Sequence, residues 1–83
     1  MQFGYSRYAN LHGNSGVRSY TTDGPDEDHP DRIRSITVQF LGGAEFTYSE
    51  RSAGPLVVED MISHAENGIG LQRYINFNKP GYV

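Results

Sequence analysis

The run from Ile36 to Tyr48 limits the fold more than any other part of the chain. Ile36, Val38 and Phe40 alternate with Thr37 and Gln39, Gly42-Gly43 follows, and Phe46 and Tyr48 alternate with Glu45 and Thr47. Successive side chains on a strand point to opposite faces, so this pattern predicts two strands sharing one buried face. A Gly-Gly pair accepts positive φ at both positions, which predicts a two-residue type I′ turn between them. Ser52-Ala53-Gly54-Pro55 then breaks the extended run, and Pro55 suits the first position of a helix, where its missing N–H costs nothing. Val58, Met61, Ile62 and Ala65 follow at i, i+3, i+4 and i+7, one apolar stripe. Glu59 and Asp60 are expected in the first turns, where the helix dipole favours acids. Asn67-Gly68 reads as the helix stop.

A lone hairpin is marginal in water, so a further strand is expected. Val17 to Thr22 is β-branched and aromatic enough to supply it, entered through a turn at Gly13-Asn14-Ser15-Gly16. Leu71 to Phe77 reads as a second short helix and residues 79–83 as a tail. The expected fold class is α+β: a small antiparallel β-meander of about three strands packed against two short C-terminal helices. Residues 1–83 form one domain. Its expected core is Val38, Phe40, Phe46, Met61, Ile62, Leu71 and Ile75.

The chain has 83 residues and no cysteine. Disulfides, thiolate-bound zinc and a thiol nucleophile are therefore excluded. A core this small is often completed by a partner chain, so a homo-oligomer is expected. No apolar run approaches the ~20 residues that span a bilayer, and no signal-peptide pattern opens the chain, so a cytoplasmic protein without a membrane partner is expected. The net charge is −3 and unevenly placed. Asp23, Asp26, Glu27, Asp28 and Asp31 lie together in a stretch with no Lys or Arg, leaving five acids against seven bases elsewhere. The body is mildly cationic but lacks the basic stripe that long nucleic acid requires.

With these elements placed, the chain resembles the KTSC family of short bacterial domains, which occur alone or appended to some lysyl-tRNA synthetases. The residues that carry the likeness are Asn14-Ser15 with Val17 and Tyr20, the run Ile36 to Phe40 through Gly43, Phe46 and Tyr48, then Ser52-Ala53-Gly54. Met61, Ala65 and Gly68 and the segment Gly70-Leu71 to Tyr74-Ile75-Asn76 complete it. It is also similar to small bacterial and phage-type proteins beginning near Arg7-Tyr8-x-Asn10-Leu11. The resemblance covers about residues 7–78 and implies a fold, not an activity. Arg18 follows Ser15 here, where the family tends to place its basic residue before that serine, and the 23–31 loop is longer than usual.

Several constellations invite chemistry. The acidic loop could attract a hard cation, but Pro30 and the position of Gly24 break the alternating register of a calcium loop, so a solvated loop is expected. His12, His29 and His64 are scattered without metal-ligand spacing, and no metal or cofactor is expected. Ser15 with His64 could form a nucleophilic pair only if the fold joined them; no nucleophile elbow is present, and no catalytic residue is assigned. Gly13 to Gly16 could present backbone N–H groups to a ligand, with Arg18 near in sequence. Arg73 and Asn76, one turn apart on the second helix, share a face opposite Leu71 and Ile75. Arg supplies a planar cationic fork and Asn a donor–acceptor pair, suited to phosphate, carboxylate or a base edge.

The expected function is therefore a non-catalytic domain binding a small anionic or nucleotide-like ligand, with sequestration of that ligand as one way it would act. Asn14, Ser15, Arg18, Arg73 and Asn76 are its candidate contacts, with tyrosine rings available for stacking. The alternatives are a protein-interaction module without a small ligand and, third, a weak hydrolase.

Overall fold

The computed structural model describes residues 4–11, 13 and 15–83. The alternating run forms strands where expected: β3 spans Ser35–Phe40 and β4 spans Glu45–Ser49. Ahead of them lie β1, Ser6–Arg7, and β2, Val17–Asp23. The four pair antiparallel in chain order, a meander of four strands rather than three. The added strand is two residues long and carries no alternation that would mark it in the sequence.

The hairpin turn also differs from expectation. Phe40 N–H donates to the Ala44 carbonyl at 2.8 Å, so three residues, Leu41 to Gly43, form the loop. Gly43 N–H closes a β-turn on the Phe40 carbonyl at 2.9 Å, and only Gly43 takes a positive φ, of 96°. One glycine in that region after a tight turn is the bulged three-residue loop, which leaves Gly42 in an ordinary conformation.

Helix α1 spans Pro55–Asn67, with Pro55 in its first turn, and α2 spans Leu71–Asn78. The first turn of α1 holds no acid; Glu59 and Asp60 lie beyond it, so the dipole argument for them lapses. Gly68 ends α1 at φ 70°, its N–H bonded back to the His64 and Ala65 carbonyls. A Cβ there would lie 2.5 Å from that of Ala9, so the site needs glycine for both conformation and space.

Directly opposed residues of an antiparallel pair point to the same side. Tyr20, Val38 and Phe46 form one such row, Ile36 and Tyr48 another, and α1 covers both. The buried cluster is Tyr8, Val17, Ile36, Val38, Tyr48, Met61, Ala65 and Leu71. Val38, Met61 and Leu71 are buried as expected. Phe40, Phe46, Ile62 and Ile75 are only half-buried and pack around that cluster. Phe40 and Phe46 flank the hairpin turn, where their rings meet edge-on at 6.0 Å. Tyr8 and Tyr48, each 4% exposed, take the places expected of phenylalanines.

The opposite face of the sheet is uncovered by helices and polar. It carries the rows Arg7, Ser19, Gln39, Glu45 and Thr21, Thr37, Thr47. Residues 79–83 do not trail away: Val83 N–H donates to the Thr47 carbonyl at 2.8 Å, and the Tyr82 ring meets Phe46 edge-on at 4.8 Å. No helix among the described residues is long and apolar enough to cross a membrane.

Candidate functional site

The N-terminal segment crosses from β1 to the α1–α2 junction and is tied there from both sides. Tyr8 N–H donates to the Arg18 carbonyl at 3.1 Å, and Leu11 N–H to the Gly68 carbonyl at 2.8 Å. The first N–H groups of a helix have no partner within it. Gly70, at the N-cap of α2, has no side chain to offer, and the buried Tyr8 hydroxyl accepts from Leu71 N–H instead, at 3.2 Å. Asn10 sits at φ 53° and its Oδ1 accepts from Ser15 N–H at 3.1 Å. The Gln72 side chain accepts from Gly16 N–H, which joins the loop to α2.

These contacts enclose a cleft of about 490 Å³ between the loop and the exposed side of α2. Ser15, Gln72, Arg73 and Asn76 supply its polar wall, and Tyr8 and Phe77 its aromatic one. The one-turn spacing of Arg73 and Asn76 brings both to this cleft. Arg73 and Asn76 are exposed, and the guanidinium lies 5.9 Å from the centre of the Phe77 ring, which is itself 78% exposed. A guanidinium over a ring keeps its N–H edge free for an anion.

Of the five candidate contacts, Ser15, Arg73 and Asn76 meet here. Arg18 does not: it lies at an irregularity in β2 and lines a different cavity, on the outer face of the sheet. Asn14 lies outside the described residues. Gln72, Asn10 and Phe77 were missed. The same one-turn spacing that found Arg73 and Asn76 marks Phe77 as the next residue along, whereas Asn10 reaches the site only through the crossing segment.

Ser15 and His64 form no pair. Ser15 Oγ accepts from Val17 N–H at 3.1 Å, and His64 Nδ1 lies 3.1 Å from the Ile69 carbonyl with its ring against Tyr74 at 5.1 Å. No family model, curated protein or solved structure matches the chain. The cleft's chemistry therefore rests on its own residues. Within α1 and α2 Arg73 is the only Lys or Arg. The Tyr74 hydroxyl donates to Asp60 Oδ2 at 3.2 Å, and burial first, then that carboxylate, holds its pKa above the usual tyrosine value. The neutral phenol thus remains a donor, engaged with Asp60 and not facing the cleft.

Proposed function

We propose that the domain is a non-catalytic binder of a small anionic or nucleotide-like ligand, held in the cleft between Asn10 and Ser15 on one side and α2 on the other. The observation that carries this reading is the convergence of Arg73, Asn76, Gln72 and Ser15 on one concavity beside an exposed aromatic ring. Arg73 supplies the charge and Asn76 and Gln72 the orienting amides. The Phe77 face offers a stacking surface of the kind that bases use without sequence readout. A KTSC-like domain acting as a small cytoplasmic homo-oligomer fits this proposal, with the ligand sequestered rather than transformed.

The alternative, a protein-interaction module, draws on Phe77, which lines the cleft and is 78% exposed. A large exposed apolar ring suits a partner chain as well as a small molecule.

An Arg–anion hydrogen bond is worth about 1.5–3 kcal/mol, so Arg73→Ala should weaken ligand binding roughly ten- to a hundredfold. Folding should be nearly unaffected, because an exposed arginine adds little to stability. Thermal-shift screening against nucleotides, cyclic dinucleotides and small carboxylates, followed by calorimetry on Arg73→Ala, tests this. If no anion raises the melting midpoint, or a hit binds the variant equally well, the interaction-module reading takes its place.

A further inference from the structure

A second cavity, of about 650 Å³, opens on the sheet face that the helices leave uncovered, lined by Tyr5, Arg7, Arg18, Ser19, Gln39 and Leu41 among others. The register explains why these residues meet. Arg7 of β1 pairs with Ser19 of β2, and Ser19 pairs with Gln39 of β3, so three side chains share one row. Between Val17 and Ser19 the pairing slips by one residue, which leaves Arg18 as the bulged position. A bulge re-aims the side chain it carries, and here it brings Arg18 to the same cavity as Arg7.

The cavity presents donors. Ser19, 7% exposed, donates its hydroxyl to Gln39 Oε1 at 2.7 Å. That bond uses the amide oxygen, and among the described residues the Gln39 Nε2 hydrogens have no acceptor. Glu45, the acid at the far end of the row, accepts the Tyr5 hydroxyl at 2.5 Å. Among the described residues the ion pairs are His29–Asp26 and Arg32–Asp23, so neither Arg7 nor Arg18 has an acidic partner. Two planar cationic forks and an amide thus face one space. A single carboxylate would satisfy one fork. A phosphate monoester carries nearly two charges at neutral pH and three acceptor oxygens, enough for both. Leu41, 64% exposed, and the Tyr5 ring flank the opening with carbon surface suited to the ester's organic part.

We propose that the Arg7–Arg18 cavity is a phosphate-monoester site, built on different cations from the cleft at Arg73, with which it shares Tyr8 and Asn10 in its walls. The test is amide-resolved NMR titration of the full chain at fixed low ionic strength, first with inorganic phosphate and then with phenyl phosphate. Both should saturate and move the amides of Arg7, Ser19 and Gln39, with phenyl phosphate binding severalfold more tightly. Arg7→Ala and Arg18→Ala should each weaken binding about tenfold, and Arg7→Lys by less, since it keeps the charge and loses the fork. Arg51→Ala should leave the affinity read at the Arg7, Ser19 and Gln39 amides unchanged. The same spectra report whether each variant is folded, and both arginines are exposed. Equal weakening by Arg51→Ala would reduce the effect to general charge and overturn the site. Shifts confined to Gly68 to Arg73 with the Arg7, Ser19 and Gln39 amides unmoved, or unchanged affinity in both alanine variants, would overturn it as well. Equal affinity for the two probes would overturn the ester assignment.

Discussion

The cleft beside α2 and the acidic loop at 24–34 are both irregular chain, yet different contacts hold them. The cleft is closed by bonds spanning most of the sequence: Tyr8 to Leu71, Leu11 to Gly68 and Gly16 to Gln72. The loop is held mainly by near neighbours. Asp26 Oδ1 accepts from His29 N–H at 2.6 Å, and Arg32 N–H donates to the His29 carbonyl at 3.2 Å. Its one Arg–acid pair, Arg32 with Asp23 at 3.0 Å, is exposed and belongs to a class worth less than about 1 kcal/mol. Long-range closure orders polar side chains against each other in a fixed concavity, which recognition needs. Local closure leaves the acids in water.

The largest expected effect separates the two regions at one atom. Tyr8→Phe keeps the buried ring but removes the acceptor of Leu71 N–H, leaving a buried donor unpaired. That should cost about 1–3 kcal/mol. Denaturant unfolding of the variant checks it, with an unchanged m-value showing that the loss is in the folded state. A cost near zero would mean that the crossing segment is not what closes the cleft, and the contrast with the loop would fail.

A second effect is read by pH. Tyr48, in the core beneath α1, has its pKa raised by burial first and then by the neighbouring Tyr82. A phenol raised in the folded state stabilises the fold fully below the unfolded tyrosine value of about 10 and loses that contribution as pH rises through the higher folded value. Thermal midpoints should therefore fall above pH 10. Tyr48→Phe should flatten that fall while leaving the midpoint at pH 7 nearly unchanged. An equally steep fall in the variant would place the alkaline sensitivity elsewhere.

The same contrast explains what could be read from the sequence. Ile36, Val38, Met61, Ala65 and Leu71 were legible because strand and helix periods place them on the buried side, and Gly68 because a helix stop asks for it. Arg73 and Asn76 were legible because one helical turn sets them side by side. Tyr8 was not: its burial depends on a partner 63 residues away, and no local period marks it. Strand Ser6–Arg7 is too short to show alternation. Arg18 was assigned to the wrong cavity because a bulge, which leaves no mark on this stretch of sequence, re-aims it. Phe40 and Phe46 have the right period for the core but flank the hairpin turn, where they pack on each other and Phe46 on Tyr82 of the C-terminal segment.

The smallest expected effect belongs to the loop. Asp26, Glu27 and Asp28 are all exposed, and of the three side chains only that of Asp26 is engaged, accepting from His29 N–H and lying 3.4 Å from His29 Nδ1. Changing them to Asn, Gln and Asn keeps the acceptor for His29 N–H, ends the exposed pairing with the His29 ring, and removes three negative charges from the 23–31 stretch, which holds five acids. Surface changes of this kind are usually within about 0.5 kcal/mol, and relief of like-charge repulsion sets the sign toward slight stabilisation. Because salt screens exposed charges, the gain should be larger at low ionic strength and vanish near 1 M salt, where the screening length is about 3 Å. Melting curves at both salt concentrations, with and without millimolar calcium, test the point. A destabilisation beyond about 1 kcal/mol would show that the acids hold the loop in place. A midpoint raised by calcium in the parent chain and not in the variant would turn the loop into a cation site, and the line drawn between the two regions would have to move.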